Sequence, residues 1–595
     1  MKILSPLLRI TQRLGPVGAV GLVFRKFAKK ARYHAMLREV PKSDTPARLL
    51  PIKWNATFAA DATIIERANN LLQDRNRIFS WDYSLRNVDR AWEYDPVEKK
   101  HWPRRHYTES HLHASDTPRD VKIVWEINRF VELPTLAQAA LMTRDETFAA
   151  EAEKRMLSWI DENPFAQTIN WASALEISIR LLSWTATLAI LREAGFALDT
   201  NGTIARSIFH QAAYLAADLS TDKVVPTNHL IGEAAGLFVV ASMWEFPAAE
   251  EYRVRARAIL EREMFRQTYS DGVTREASSW YHQFVTDLFD LVERVASRVG
   301  QPMSEDVRAH LTKMKSYIAA LTANASIVRY GDADDGRAID IDEDWKAAIF
   351  GPASTVAARE QSVFPIARQV AFHVGPSFMF MRAGEFGMGG DGFSSHAHDD
   401  FLSPIAFLGG LPVLADPGTF VYNGNTAERA KYRGVEAHNS LVISDATGAV
   451  QKLNFGWQRV RPNAILLDAA KSDDSATLAG RFGEWPLHAR QLELTSNRLR
   501  ITDTFHHPPD AACQWWFHLD PIWLRQTKTE TGYRFETVNG DTLEITLLGQ
   551  FETESIEEYD YSPSYGVHAR AMMLRLTANG PKGAYTIHMT LKRAA

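Results

Sequence analysis

Ser394-Ser395-His396-Ala397-His398-Asp399-Asp400 is the stretch from which the rest of this chain is best read. Asp416 follows eighteen residues after His398, in Leu414-Ala415-Asp416-Pro417-Gly418. His438 comes twenty-two residues later, in Glu436-Ala437-His438-Asn439-Ser440. On a β-strand, positions i and i+2 share a face. His396 and His398 would then be neighbours, one ring free for proton transfer and one able to bind a cation. Imidazole and carboxylate donors from three separate segments suit Zn²⁺, with His398, Asp416 and His438 as candidate ligands. The competing reading is three unrelated polar residues in a β-rich region.

Around and beyond this stretch the pattern is β-type. Phe378-Met379-Phe380-Met381, Leu492-Glu493-Leu494, Leu499-Arg500-Ile501 and Leu543-Glu544-Ile545 are short, often alternating runs separated by Asn, Asp and Gly turns. Before it, from roughly residue 55 to 325, apolar residues recur three and four apart, as in Ala172-Leu175-Ile179-Leu182 and Ile231-Ala234-Ala235-Phe238. Breaks such as Glu162-Asn163-Pro164 and Phe246-Pro247 divide that half into helical blocks. The expected organisation is a basic segment over 1–50, an (α/α) toroid or solenoid over 51–360 and an antiparallel β-sandwich over 361–595. The loop Gly331-Asp332-Ala333-Asp334-Asp335-Gly336 lacks the terminal Glu of a calcium-binding helix–loop–helix motif and is expected to be a solvated turn.

At 595 residues, 45% hydrophobic and net charge −5, the chain is a globular protein of two or more domains, with no charge excess to draw nucleic acid. Sixteen Trp, seventeen Tyr and thirty Phe give many rings able to stack on sugars or to fill cores. The single cysteine, Cys513, excludes an internal disulfide and a Cys-rich zinc site. The N-terminus carries nine Lys or Arg before the first acid, Glu39, around an apolar run Leu14–Phe24. That run is too short and Gly-rich to span a bilayer, and no small-residue cleavage site follows it. The expectation is a basic arm, solvated or in peripheral contact with a membrane surface. The chain would then sit in the cytoplasm, at the inner membrane or in the periplasm. Oligomeric state is not legible.

The helical half, the β half and the His-Ala-His-Asp-Asp motif together resemble the heparinase II/III family of polysaccharide lyases. Further motifs carry the resemblance: Trp125-Glu126-Ile127-Asn128-Arg129; Asn170-Trp171 with Glu176 and Arg180; Asn228-His229-Leu230 with Glu233; Glu276 through Tyr281-His282; and Ala437-His438-Asn439-Ser440. The resemblance implies a uronate-containing, anionic polysaccharide as substrate. It makes Asn228 the neutraliser of the uronate carboxylate, helped by His229, Tyr281 the Brønsted base and acid, and His396 its opposite partner. It assigns His398, Asp416 and His438 to a structural zinc. Arg129, Trp171, Glu176, Arg180, His282, Tyr422, Arg429 and Arg433 are expected to line the cleft or hold sugar.

Each has a bland alternative. Asn228 would suit a helix N-cap, Tyr281 a core position, and Glu176 with Arg180 a surface i,i+4 ion pair. The chemistry expected is β-elimination: amide hydrogen bonds to the carboxylate stabilise charge as the C5 proton leaves, and two side chains move the protons. A metal-dependent glycan hydrolase and a non-catalytic exopolysaccharide-binding or assembly protein are the alternatives.

Overall fold

The computed structural model describes residues 27, 31, 34–36, 38, 40 and 47–594, except 53, 55, 107–117, 119, 197, 199–201, 224, 354–360, 388–394, 424, 444–448, 453–454, 461–462, 483–486, 508–511 and 579–581. The apolar run 14–24 and most of the basic N-terminal segment, with its expected membrane contact, lie outside the described residues, as does Ser394.

Packing divides the chain into two compact units that do not follow a single cut near residue 360. The first contains 1–267, 284–308 and 336–355; the second contains 268–283, 309–335 and 356–595. Two segments from the helical half of the sequence, carrying Tyr281, His282 and the acidic residues of 331–335, therefore fold with the strands.

The first unit is helical. Helices Leu133–Thr143, Ala174–Glu193 and Asn228–Met243 pack against one another in turn. Helices Glu146–Glu162, Thr203–Asp218 and Ala249–Gln267 alternate with them in sequence. Side-chain burial explains the division. Helix Ala174–Glu193 is buried on every face, whereas Glu146–Glu162 and Ala249–Gln267 each bury one stripe. Ala174–Glu193 is also long and apolar enough to cross a membrane, but 94% of that apolar window is buried in protein, as in a core helix. Gly236 allows the neighbouring helix close, since a Cβ there would meet Ser178 Oγ at 2.0 Å.

The second unit is antiparallel β-sheet. A five-stranded sheet runs in the order 411–414, 405–408, 377–382, 369–374, 363–364. An eight-stranded sheet runs 464–471, 475–482, 487–495, 498–506, 582–592, 542–548, 532–536, 525–529. A four-stranded sheet runs 441–443, 513–518, 569–578, 553–561. Ser475–Phe482 alternates half-buried and buried residues along its length, as period-2 patterning requires. One core joins the sheets through Phe372, Met381, Leu478, Ile501, Phe517 and Leu574. Tyr317, Leu321, Phe364, Phe378 and Phe380 form a second core beside it.

Candidate functional site

The stretch 395–400 is not a strand, contrary to the sequence expectation; it is an irregular, mostly buried segment. Irregular backbone leaves carbonyls that need donors, and buried arginines supply them. Arg433 Nη2 donates to the Ser395 and Ala397 carbonyls at 3.0 and 3.1 Å. Arg382 Nη2 donates to the His398 carbonyl at 3.1 Å, and its guanidinium pairs with Asp400. Asn425 caps helix Thr426–Arg433 through the Ala427 and Glu428 amides. Arg429 and Arg433, four residues apart, thus lie on one face of it.

At the centre of this second unit is Asp332, which the sequence reading had placed in a solvated turn. It is fully buried. Its Oδ2 accepts from His396 Nδ1 at 3.0 Å, and its Oδ1 from His398 Nε2 at 3.0 Å. Arg429 donates to both oxygens, at 3.1 and 2.7 Å. Burial alone would push this carboxyl's pKa up. The Arg429 charge and the two imidazole hydrogen bonds outweigh it and hold the group ionised, well below the usual carboxylate range. Gly331 makes the loop possible: its φ is +64°, and a Cβ would meet the Ala277 carbonyl at 2.3 Å. The other acids of the loop are also engaged. Asp334 accepts from the Tyr281 hydroxyl at 3.0 Å, and Asp335 pairs with Arg329 at 2.8 Å.

Tyr281 lies in the first turn of helix Ser279–Arg298, where Ser278 Oγ accepts its amide at 3.1 Å and donates to the Asp332 carbonyl. Its ring stacks on His396, with centroids 3.7 Å apart and planes at 20°. The two rings are in direct face-to-face contact. Burial first, and the Asp334 carboxylate second, raise the Tyr281 pKa well above the ordinary phenol value. With Nδ1 of His396 directed at Asp332, its Nε2 lies on the far side of the ring, 3.9 Å from Glu276.

His398, Asp416 and His438 present ligand atoms within 4.8 Å of one another. Nδ1 of His398 and Nε2 of His438 are buried and have no hydrogen-bond partner among the described residues. Their other nitrogens are occupied by Asp332 and by Asp416, the latter at 3.0 Å. Burial lowers the His398 pKa and keeps its ring neutral, whereas at His438 the charge and hydrogen bond of Asp416 outweigh burial and raise the pKa. A donor set with two buried imidazole nitrogens, each ring oriented by a carboxylate, fits a divalent metal of the zinc kind, whose binding would displace any proton on His438.

Several residues expected at the sugar have partners within the protein. Arg129 Nε and Nη2 donate to Glu176 at 2.6 and 3.0 Å, and Nη1 donates to Glu126 at 2.8 Å. Arg180 is fully buried; it lies 4.1 Å over Trp159 and donates to Gln211 at 2.8 Å, so the i,i+4 pair with Glu176 does not form. Trp171 is packed among Trp159, Phe165 and Tyr214. His282 is fully buried between the Thr274 amide and the Met314 carbonyl, and burial lowers its pKa to about 4. Arg433 serves backbone carbonyls and Arg429 serves Asp332. Desolvating each of these charges is tolerable only because internal partners replace water. Tyr422 keeps a place beside the chemistry, its ring 6.1 Å from His396.

Asn228 and His229 open helix Asn228–Met243 in the helical unit, Asn228 buried and His229 half-buried. The N-cap is Thr227, so the capping alternative for Asn228 does not hold. Asp332, Asp334 and Arg382 join the site without being expected there from the sequence, and Glu276 only as the start of the Glu276-to-His282 motif. For the two aspartates the signal was three acids between two glycines.

Comparison with known proteins agrees with the architecture. The family model described as Heparinase II/III N-terminus matches residues 33–344, and that described as Heparinase II/III-like, C-terminal matches 357–590. A heparin-sulfate lyase of Pedobacter heparinus is 25% identical over 361 residues, 56% of this chain and 54% of that protein. The chain thus matches about half the length of that curated relative. The crystal structure of a heparinase III superposes with a TM-score of 0.68 at 15% identity, covering 96% of this chain and 91% of the other. The heparan sulfate lyase structure from Pedobacter heparinus gives 0.54 at 17% identity, covering 96% and 88%. At these identities the structures speak for the fold. The chain belongs to the heparinase II/III family.

Proposed function

We propose that this family member is a polysaccharide lyase that cleaves a uronate-containing glycan, of the glycosaminoglycan type, by β-elimination. The observation that carries the reading is the Asp332-held His396 stacked on Tyr281. A carboxylate that accepts Nδ1–H fixes the tautomer and leaves Nε2 basic, positioned to take the C5 proton of a uronate. Tyr281, held protonated by burial and by Asp334, is matched to the other half of the reaction: giving a proton to O4 as the C4–O4 bond breaks. The electron pair left at C5 forms the 4,5 double bond. A buried phenolate beside Asp334 is unfavourable, so Tyr281 recovers its proton readily, with the imidazolium of His396 in ring contact with it. Asn228 is assigned to the substrate carboxylate, whose growing charge an amide donor stabilises, with His229 beside it in sequence.

His398, Asp416 and His438 would hold Zn²⁺. Bound there, the ion supplies positive charge and braces the segment that carries His396; no proton transfer is assigned to it.

The test is to incubate the protein with heparan sulfate, chondroitin, hyaluronan and alginate while following ultraviolet absorbance and new reducing ends. Absorbance rising with chain cleavage, and lost in Tyr281→Phe, is the expected result. Reducing ends without absorbance would make it a hydrolase; glycan binding without cleavage would make it a binding or assembly protein. Cell fractionation tests the expected location, and recovery of the protein free outside the cell would overturn it.

A further inference from the structure

The helical unit contains a cavity of about 920 Å³, lined by Arg67, Arg75, Phe79, Asp82, Tyr83 and Thr135 among others. All of its lining residues lie between 67 and 135, and none is among the groups assigned to proton transfer or metal binding. Its volume is within the range of ligand-binding clefts.

Three features make it more than a surface dent. The first is the hairpin Asn76–Ile78 and Trp81–Tyr83, which turns through Phe79 and Ser80. Two-residue turns favour Asn or Gly where φ is positive, yet Phe79 has φ 51°. A bulky residue in the left-handed region is uncommon, and such outliers concentrate at binding sites. The second is Thr135, only 1% exposed, whose Oγ1 has no hydrogen-bond partner among the described residues. The third is the charge pattern. Asp74 is satisfied by Asn76, Ser84 and the Arg86 amide. Arg67 pairs with Asp340 at 3.0 Å, and Arg77 with Asp82 at 3.5 Å. Among the described residues no side-chain partner is found for the exposed Arg75. Aromatic faces, hydroxyl and amide groups and mixed acids and arginines suit a polyhydroxylated ring, and an uncommitted guanidinium suits a carboxylate.

We propose that this cavity is a saccharide-binding site, separate from the residues that do chemistry, which takes a chain segment carrying a uronate carboxylate. Phe79 and Tyr83 would face the sugar rings, Thr135 and Asn70 would meet hydroxyls, and Arg75 would hold the carboxylate. The proposal rests on the reading that the protein acts on a uronate glycan.

The test is to measure binding of heparan sulfate and hyaluronan decasaccharides to the full chain by calorimetry, together with KM and kcat on the parent polymers. Phe79→Ala and Arg75→Ala are each expected to weaken decasaccharide binding about 5- to 10-fold and to raise KM more than they lower kcat. Arg75→Lys should recover part of the loss. Tyr281→Phe should abolish turnover and keep this binding. Variants that remain folded and bind both probes as the parent does would overturn the proposal, as would a parent protein that binds neither probe. A parent that cleaves nothing yet loses binding in Phe79→Ala would refute the lyase reading and support this site.

Discussion

Both units bury a network of charges, and the two networks end differently. In the helical unit, Lys122, Glu126, Arg129 and Glu176 form a chain of contacts at 3.0, 2.8 and 2.6 Å in which each charge meets an opposite one. In the β unit, Asp332 gathers two imidazoles and a guanidinium, but the far sides of the rings are less engaged: His396 Nε2 has Glu276 at 3.9 Å, and His398 Nδ1 has no hydrogen-bond partner among the described residues. The first network closes on itself and holds helices together. The second orients lone pairs. Buried polar groups become reactive where the protein satisfies one side of a ring and leaves the other to a substrate or metal.

That contrast makes Asp332→Asn the most damaging change. It removes the charge facing Arg429 and the acceptor that fixes the tautomer of His396. We expect activity to fall by at least ~10²-fold and stability by about 3–5 kcal/mol, read by the double-bond absorbance assay and denaturant unfolding. Near-parental activity would refute the role of Asp332.

Tyr281→Phe and His396→Ala should each lower kcat by ~10²–10⁴. Tyr281→Phe should barely move the unfolding midpoint, because the ring still stacks. If either enzyme keeps more than a tenth of its rate, proton transfer belongs elsewhere.

Arg129→Ala, the matching lesion in the closed network, should cost about 3–5 kcal/mol by stranding Glu176 and Glu126. Its damage should appear in thermal unfolding first; a kcat loss in a fully folded variant would bring Arg129 back towards substrate.

Chelation is expected to strip about one zinc per chain and to lower stability by roughly 3 kcal/mol if the metal is present at ~100 times its Kd. Elemental analysis with melting curves checks this, and a metal-free protein with an unchanged melting point would remove the ion from the account.

The smallest effects should be in pH dependence, with opposite signs in the two units. Burial raises the Glu233 pKa to about 7 in the helical unit, against hydrogen bonds from Ser220. A raised acid contributes most below its unfolded pKa near 4.5 and loses that contribution as pH rises through 7. Glu233→Gln should remove this alkaline loss, on the order of 2 kcal/mol between pH 5 and 8. His282 in the β unit is depressed to about 4, so its contribution is full above about 6.5 and fades as pH falls through 4. Equal melting points for parent and Glu233→Gln at both pH values would contradict the buried-acid reading.

Periodicity and motif spacing revealed a helical half and a β half, because burial on one face imposes 3.6- and 2-residue repeats that survive in a single sequence. They also brought forward Tyr281, His396, His398, Asp416 and His438, the residues proposed to carry proton transfer and to hold a cation. They misjudged the acidic loop and did not show the partners of the arginines. A charged residue reads as exposed unless its partner is known, and the partners here are distant: Arg129 meets Glu176 47 residues away, and Arg429 meets Asp332 97 residues away.

By itself, then, the sequence determined the two architectures and most of the groups able to move protons or bind a cation, since local patterning and residue chemistry are written position by position. Only the tertiary structure decided that Tyr281 folds with the strands, that its ring lies on His396, and that Asp332 joins His396 to His398. Those facts depend on contacts closed between distant segments, and the cost of burying an unpaired charge selects which contacts persist.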